Sequence, residues 1–448
     1  MRIRQLILAL SVTCGWTMVA CSDDTEVTLP DTVAATASCV GCHTDLNTLV
    51  ATHTPDSIIP TGGCSGPPPY IEPYDRVYLE PEGFAQFENT IHGRQGCIAC
   101  HGGVDETDDK VLAHSGDFVK LPSFENLDQC AECHYGITSG FENSLHYNGW
   151  GQKNSQIRRS GVGSFEELHE GVQAGYDQNC SSCHASCGSC HVNRPPAQGG
   201  GLLAGHSFAA PDMRDNCTAC HSSRGGHAYY GEGLGTQPDV HLTQAGYTCL
   251  ECHTKEEMHG SDGEVYDHRY QVEALPSCTD CHQDLQASNA YHVMHIDELS
   301  CHTCHSQDYN TCGNCHVGGE GARIHAFQSF KIGLNPIPDD RPYKYATLRR
   351  TLAAPDSWEA YGLAELPDFA AKQLYNYTTP HNLQRWTART LPADGESCSD
   401  NCHIVQDGET WRNRNLYLFS SDFNEEWERN ATQEVVVDGQ LPAAWGNH

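Results

Sequence analysis

Ten copies of Cys-x-x-Cys-His punctuate this chain of 448 residues, and an eleventh, with one extra residue between its cysteines, follows near the end. With 25 cysteines and 27 histidines in the composition, about 0.08 such pentapeptides would arise by chance, so the repetition dictates what the chain folds around. Each copy has one economical chemical reading. Two thiols add to the two vinyl groups of one porphyrin, and the adjoining imidazole reaches the iron. A disulfide framework has no need of a histidine after every second cysteine. Structural zinc needs two half-sites per ion, and eleven motifs do not pair off.

The thiols expected to carry haem c are, in chain order, Cys39 and Cys42, Cys97 and Cys100, Cys130 and Cys133, Cys180 and Cys183, and Cys187 and Cys190. They continue with Cys217 and Cys220, Cys249 and Cys252, Cys278 and Cys281, Cys301 and Cys304, Cys312 and Cys315, and lastly Cys398 and Cys402. Their expected proximal ligands are His43, His101, His134, His184, His191, His221, His253, His282, His305, His316 and His403. In the Cys398 motif the extra residue can bulge from the turn and leave both sulfurs able to straddle the ring; the alternative, a lone disulfide or unmodified site, makes ten haems instead of eleven.

Sixteen histidines remain, enough for a second axial ligand on every iron. Past the first 20 residues only Met213, Met258 and Met294 could serve in their place, so mostly bis-His, low-potential irons are expected. The best placed are His92, His146, His206, His227, His241, His259, His292, His295, His325 and His381, followed by His53, His114, His169 and His268. His302, inside a motif, and the terminal His448 are weaker candidates. Distal ligands come from far along the chain, so the pairing is not readable from the sequence. No catalytic residue is assigned.

The start of the chain reads as an export signal. Arg2 and Arg4 precede an apolar stretch, Leu6 to Ala20, too short to remain as a membrane span. Met18-Val19-Ala20-Cys21 resembles a bacterial lipobox, which implies lipidation of Cys21 and an outer-membrane lipoprotein, on the cell surface or the periplasmic face; ordinary signal cleavage is the alternative. Residues 21–38 then form a tether, 39–96 a first haem segment with a Pro/Gly-rich loop, and 97–320 a haem-dense core. Residues 321–448 form a C-terminal segment that wraps the last haem. Nine motifs in residues 97–316 leave about 24 residues for each, so porphyrin faces must supply core that side chains do not.

The expected fold is therefore mostly irregular, with short α-helices, little β, and haem packed at its centre. Ser164 and Glu167 predict a capping box opening a helix around His169. A second helix is expected from about Ser357 to Leu374, interrupted at Pro367, and a short strand at Val435–Val437. Motifs separated by only Ala185 and Ser186, and the Cys301 and Cys312 motifs, predict two close haem pairs. Cys64 stands unpaired, as a bridging or ligating thiol or as a free one. A formal net charge of −32 excludes nucleic acid as a partner and admits cationic partners, metal ions or mineral surfaces, though solubility alone accounts for it equally well.

In motif density, lipobox and histidine surplus the chain resembles the outer-membrane and extracellular multihaem cytochromes of bacteria that respire on metals and minerals. The resemblance implies a chain of haems that passes electrons from the periplasm to other redox proteins or an external acceptor, and some such proteins assemble into filaments of identical chains. A rival reading comes from His241 to Gly260, which resembles pieces of the octahaem tetrathionate reductase and hydroxylamine oxidoreductase group. That implies a reductase of small nitrogen or sulfur oxyanions with one open-site haem. The chain has no Cys-x-x-Cys-Lys motif, and eleven motifs instead of eight. A third reading makes the aromatic-rich stretch 317–397 a partner-binding module; wrapping of the nearest haem accounts for it more simply.

Overall fold

A small polar residue precedes most of the motifs, and in the computed structural model it caps a single helical turn. Ser38 Oγ accepts from Gly41 N at 2.9 Å ahead of the turn Cys39–His43. Reciprocal capping boxes start the turns at Ser186/Ser189, Thr248/Glu251, Ser277/Asp280 and Ser397/Asp400. Ser and Thr favour this position because their oxygens satisfy an orphan N–H of the first turn. One helical turn sets residues i, i+3 and i+4 on one face, so both thiols and the imidazole of a motif point the same way. The turn in the helix Leu127–Asn143 ends at a kink, where His134 leaves helical geometry at φ −113°.

The structure describes residues 37–57, 70–203, 205–232, 236–261, 265–308, 311–312, 327–328, 330–351 and 353–445. The signal segment, Cys21, most of the tether, Cys64, Cys315, His316 and His325 lie outside them, as does the side chain of Cys312. About 44% of residues are helical and 7% are in strands, so the architecture is short helices and irregular chain with little sheet. Helix is more abundant than expected but broken into pieces, 17 residues being the longest. Among the described residues no helix is long and apolar enough to cross a membrane.

The apolar core is unevenly spread. Of the 31 buried apolar residues among those described, 19 fall in residues 331–445, a quarter of the chain. There, strand Lys331–Leu334 pairs antiparallel with Tyr345–Arg350, which pairs antiparallel with Tyr375–Tyr377. Ala346, Thr347 and Leu348 are buried in succession, so this central strand is covered on both faces. Trp358, Leu374 and Val435 pack on it together with Ile157 and Val172 from the helices Trp150–Ser160 and Glu170–Asn179. Gly175 lets the second helix approach, because a Cβ there would lie 2.5 Å from the Trp358 ring. Buried Arg159 ties the first helix to the sheet, donating from Nη2 to the carbonyl of Gln373 at 3.1 Å. By contrast, 19 of the 22 large apolar side chains left exposed lie before residue 300.

Three local expectations fail. No helix opens at Ser164: Glu167 folds back to accept from Gly163 N at 3.0 Å, and the helix begins at Glu170 with His169 as its cap. Residues 357–374 form only the short turns Glu359–Tyr361 and Phe369–Ala371, because Gly362 turns the chain at φ +87° and Pro367 removes a donor. Val435–Val437 is buried loop rather than strand. Its backbone does pair outward, Val435 O accepting from Leu334 N at 2.9 Å and Val437 N donating to Leu418 O at 2.9 Å.

Candidate functional site

Nine motif histidines each face one histidine from outside the motifs, with ring centres 5.9–6.3 Å apart. The pairs are His43 with His114, His101 with His206, and His134 with His92. They continue with His191 and His259, His221 and His146, and His253 and His381. His282 and His241, His305 and His292, and His403 and His295 complete the set. Two imidazoles trans on one metal require a spacing of about 6.3 Å, from metal–nitrogen bonds of ~2.0 Å and about 1.15 Å from nitrogen to ring centre on each side. Interplanar angles run from 16° to 80° or more, as rotation about such an axis allows. Among the described residues no three His, Cys, Asp or Glu side chains converge, and each pair would offer a metal two nitrogen donors.

Half of the paired rings are held at Nδ1, whereas the buried Nδ1 atoms of His206 and His381 have no partner among the described residues. Nδ1 of His43 donates to Val77 O at 3.1 Å, that of His101 to Val119 O at 2.9 Å, and that of His191 to Ala209 O at 2.7 Å. His114, His292, His295 and His305 do the same to Lys110 O, Leu285 O, Tyr291 O and Gln384 O. A proton on Nδ1 leaves the Nε2 lone pair free, and such outer partners orient metal-bound imidazoles. Two rings are backed by carboxylates instead. His253 Nδ1 lies 2.8 Å from Glu257 Oε2, and His241 Nδ1 lies 2.8 Å from buried Asp239. Burial also holds His221 and His381 down to about 3, keeping them in the neutral form a metal binds.

The thiols order these pairs in space. Cys39 and Cys97 lie close enough to perturb each other's ionisation, as do Cys100 and Cys130. The thiols of Cys130 and Cys187 share a hydrogen bond that lowers the first and raises the second. Cys190 neighbours Cys217, Cys217 bonds Cys249, Cys252 neighbours Cys281, Cys278 bonds Cys301, and Cys304 neighbours Cys402. Nine motifs thus form one row in chain order. The Cys180 motif stands beside it: Cys183 bonds Cys220, while Ala185 N donates to His146 O at 2.9 Å and turns the chain away. Cys183 and Cys190, one from each of the two motifs flanking Ala185 and Ser186, both act on Cys220. Among the described residues no disulfide joins the motif cysteines.

A single cavity of about 3790 Å³ runs along the first eight motifs, from Cys39 to His282. That is several times the ~300–1,000 Å³ of a small-molecule pocket. Its thiol pairs, facing imidazoles and apolar walls fit covalently held porphyrins.

Three expected distal histidines are placed differently: His53 packs edge-on against Tyr74, His169 caps a helix, and His268 faces Asp340. His325 lies outside the described residues. His302 is buried and unpaired with any motif ring, with burial holding it down to about 4. Of the described motif histidines, only His184 has no second histidine. Its Nε2 meets the Tyr176 hydroxyl at 2.6 Å and the Gly149 backbone, where a Cβ would sit 2.0 Å away. What sequence reasoning missed were the two carboxylates that back His253 and His241. Glu257, four residues after His253, was a findable signal; Asp239, two before His241, was another.

Comparison with protein-family models, with curated proteins and with solved structures returns no match to this chain.

Proposed function

We propose that the chain is a multihaem c-type cytochrome that conducts electrons along a row of mostly bis-His haems. The observation that carries this reading is the set of nine histidine pairs, each joining a motif to a distant ring at the spacing of trans axial ligands. Haem iron, when bound, supplies one-electron chemistry between its ferric and ferrous states. The chain's residues do the rest. The thiols would hold each haem, Nδ1 contacts orient half of the paired imidazoles, and the second histidine of each pair would keep other ligands off the metal. The thiol contacts support a continuous row, because neighbouring motifs bring porphyrin edges together for short tunnelling steps.

The resemblance to outer-membrane and extracellular cytochromes, with the lipobox at Cys21, suggests a surface lipoprotein that hands electrons to a redox partner or an external metal or mineral. A haem motif near each end also suits assembly of copies into a filament. Haem content by pyridine haemochrome and EPR of the oxidised protein test the reading. About eleven haems per chain, nearly all low-spin, are expected; a protein that matures with zinc or disulfides and no haem refutes it. The second reading, a reductase, draws on one observation: among the described residues His184 faces Tyr176 and no second histidine.

A further inference from the structure

We infer that the irregular motif Cys398 to His403 is a working haem site, and that Asn413 and Trp445 are the positioning residues that bring His403 round to its metal despite the extra residue. This rests on the haem reading above and extends it to the one motif with unusual spacing. Each residue of a helical turn advances by about 100°. In the regular motifs at Cys39, Cys97, Cys187 and Cys301 the histidine is the last residue of the turn, four after the first cysteine, about 40° from it and on the face of both thiols. His403 is five after Cys398, so a continued helix would carry it about 140° away and off that face. The helix does not continue. It ends at Cys402, His403 is extended at φ −70° and ψ 143°, and its ring centre lies 6.3 Å from that of His295, within the range of the regular pairs.

Several contacts hold this departure in place. Asn413 Nδ2 donates to Asp400 O at 2.8 Å and to His403 O at 2.9 Å, so one side chain ties the turn to the residue that leaves it. The hairpin Val405–Asp407 with Thr410–Arg412 returns the chain to this point, where Asn413 takes the left-handed φ of +65° that Asn tolerates better than most residues. Arg412 pairs with Asp400 at 3.3 Å. Next along the chain, Ile404 is buried among Ile332, Phe419 and Val437, which anchors the extended segment. The Trp445 ring centre lies 4.8 Å from that of His403 at a tilt of 33°, and Trp445 meets Tyr417 edge-on, whose hydroxyl donates to Cys402 O at 3.0 Å. Unmodified or disulfide-closed cysteines would have no use for a histidine aimed in this way.

Asn413→Ala in the full-length protein is the test, with haem counted and with EPR and potentiometry recorded against the parent. Thioether bonds do not depend on Asn413, so the haem count should hold while the low-spin signal and the potential of one haem shift. Deleting Asn401 as well gives the motif regular spacing and should return that haem toward the parent. A full haem count with neither signal nor potential moved overturns the inference. So does a shift that deletion of Asn401 leaves unchanged, since Asn413 would then support the fold and not the spacing. Should N413A fail to accumulate, W445L carries the test: a shift of the same one haem is expected, and an unmoved spectrum overturns the inference. A peptide spanning Cys398 to Cys402 that mass spectrometry finds without haem, in a protein whose other motifs carry it, also overturns the inference and leaves the conduit reading standing. A chain that carries no haem at all overturns both.

Discussion

Replacing Glu257 with Gln removes one negative charge from behind His253 while keeping side-chain volume, and the effect on that haem's potential follows from the geometry. Glu257 Oε2 lies 2.8 Å from His253 Nδ1. Adding about 2.2 Å across the imidazole and ~2.0 Å to a bound metal puts the charge about 7 Å from the iron. The ferric haem carries one more positive charge than the ferrous, so the carboxylate stabilises the oxidised state and its loss raises the potential. With the Glu257 side chain only 10% exposed, an effective dielectric of ~20 gives about 2.4 kcal/mol, equivalent to about 100 mV for one electron. The His221–His146 pair, whose His146 also feels Glu257, should rise by less. EPR-monitored potentiometry of E257Q against the parent reads both shifts. A change below about 20 mV, or a fall, refutes the argument that the carboxylate tunes the iron through the imidazole. Asp239 is the poorer choice, since it also accepts from Leu383 N and holds two segments together.

Three further outcomes are expected. His114→Ala should uncap the haem of His43 alone, adding about one CO-binding, high-spin haem per chain to the parent's count. Produced without haem attachment, the chain should protect backbone amides from exchange in 331–445 and few elsewhere, because most buried apolar residues lie there; equal protection across both regions would contradict the uneven core. Lys372, held down to about 8 by burial and by Arg159, has a folded-state value below its unfolded 10.5, so stability should rise with pH between about 8 and 10.5. Lys372→Met should abolish that rise and stabilise the fold at pH 7 by on the order of 1–3 kcal/mol, read from the denaturant midpoint.

The motifs were legible because each keeps its two cysteines and histidine at a fixed spacing. Nine of the fourteen proposed distal histidines face motif rings, but their assignment could not be read: His253 and His381 are 128 residues apart, His292 and His305 only 13. Local helix signals failed for a different reason. At Ser164 the capping pattern is present, yet Glu167 finds a nearer donor in Gly163 N, and Leu168 is drawn into the core with Trp358 and Val172. Tertiary burial overrides a cap contributing about 1 kcal/mol. The sheet around Leu348 went unforeseen because its strands are three to six residues long and buried on both faces, which erases the period-two signal. The Ser and Thr residues ahead of Cys39, Cys187, Cys249, Cys278 and Cys398 were visible in the sequence and would have placed a helical turn at those five motifs.

The nine pairs also overlap along the chain. Spans 43–114, 92–134 and 101–206 interlock, 146–221, 191–259 and 241–282 continue them, and 253–381 and 295–403 close the series. No peptide bond between residues 43 and 403 lies outside at least one of these spans. Once iron joins each pair, a protease that cuts any single loop in that range leaves fragments still clasped through a metal. The coordination bonds thus act as a series of overlapping clasps, and they make the protein resistant to being taken apart from outside, where a chain exported to the cell surface would meet such enzymes.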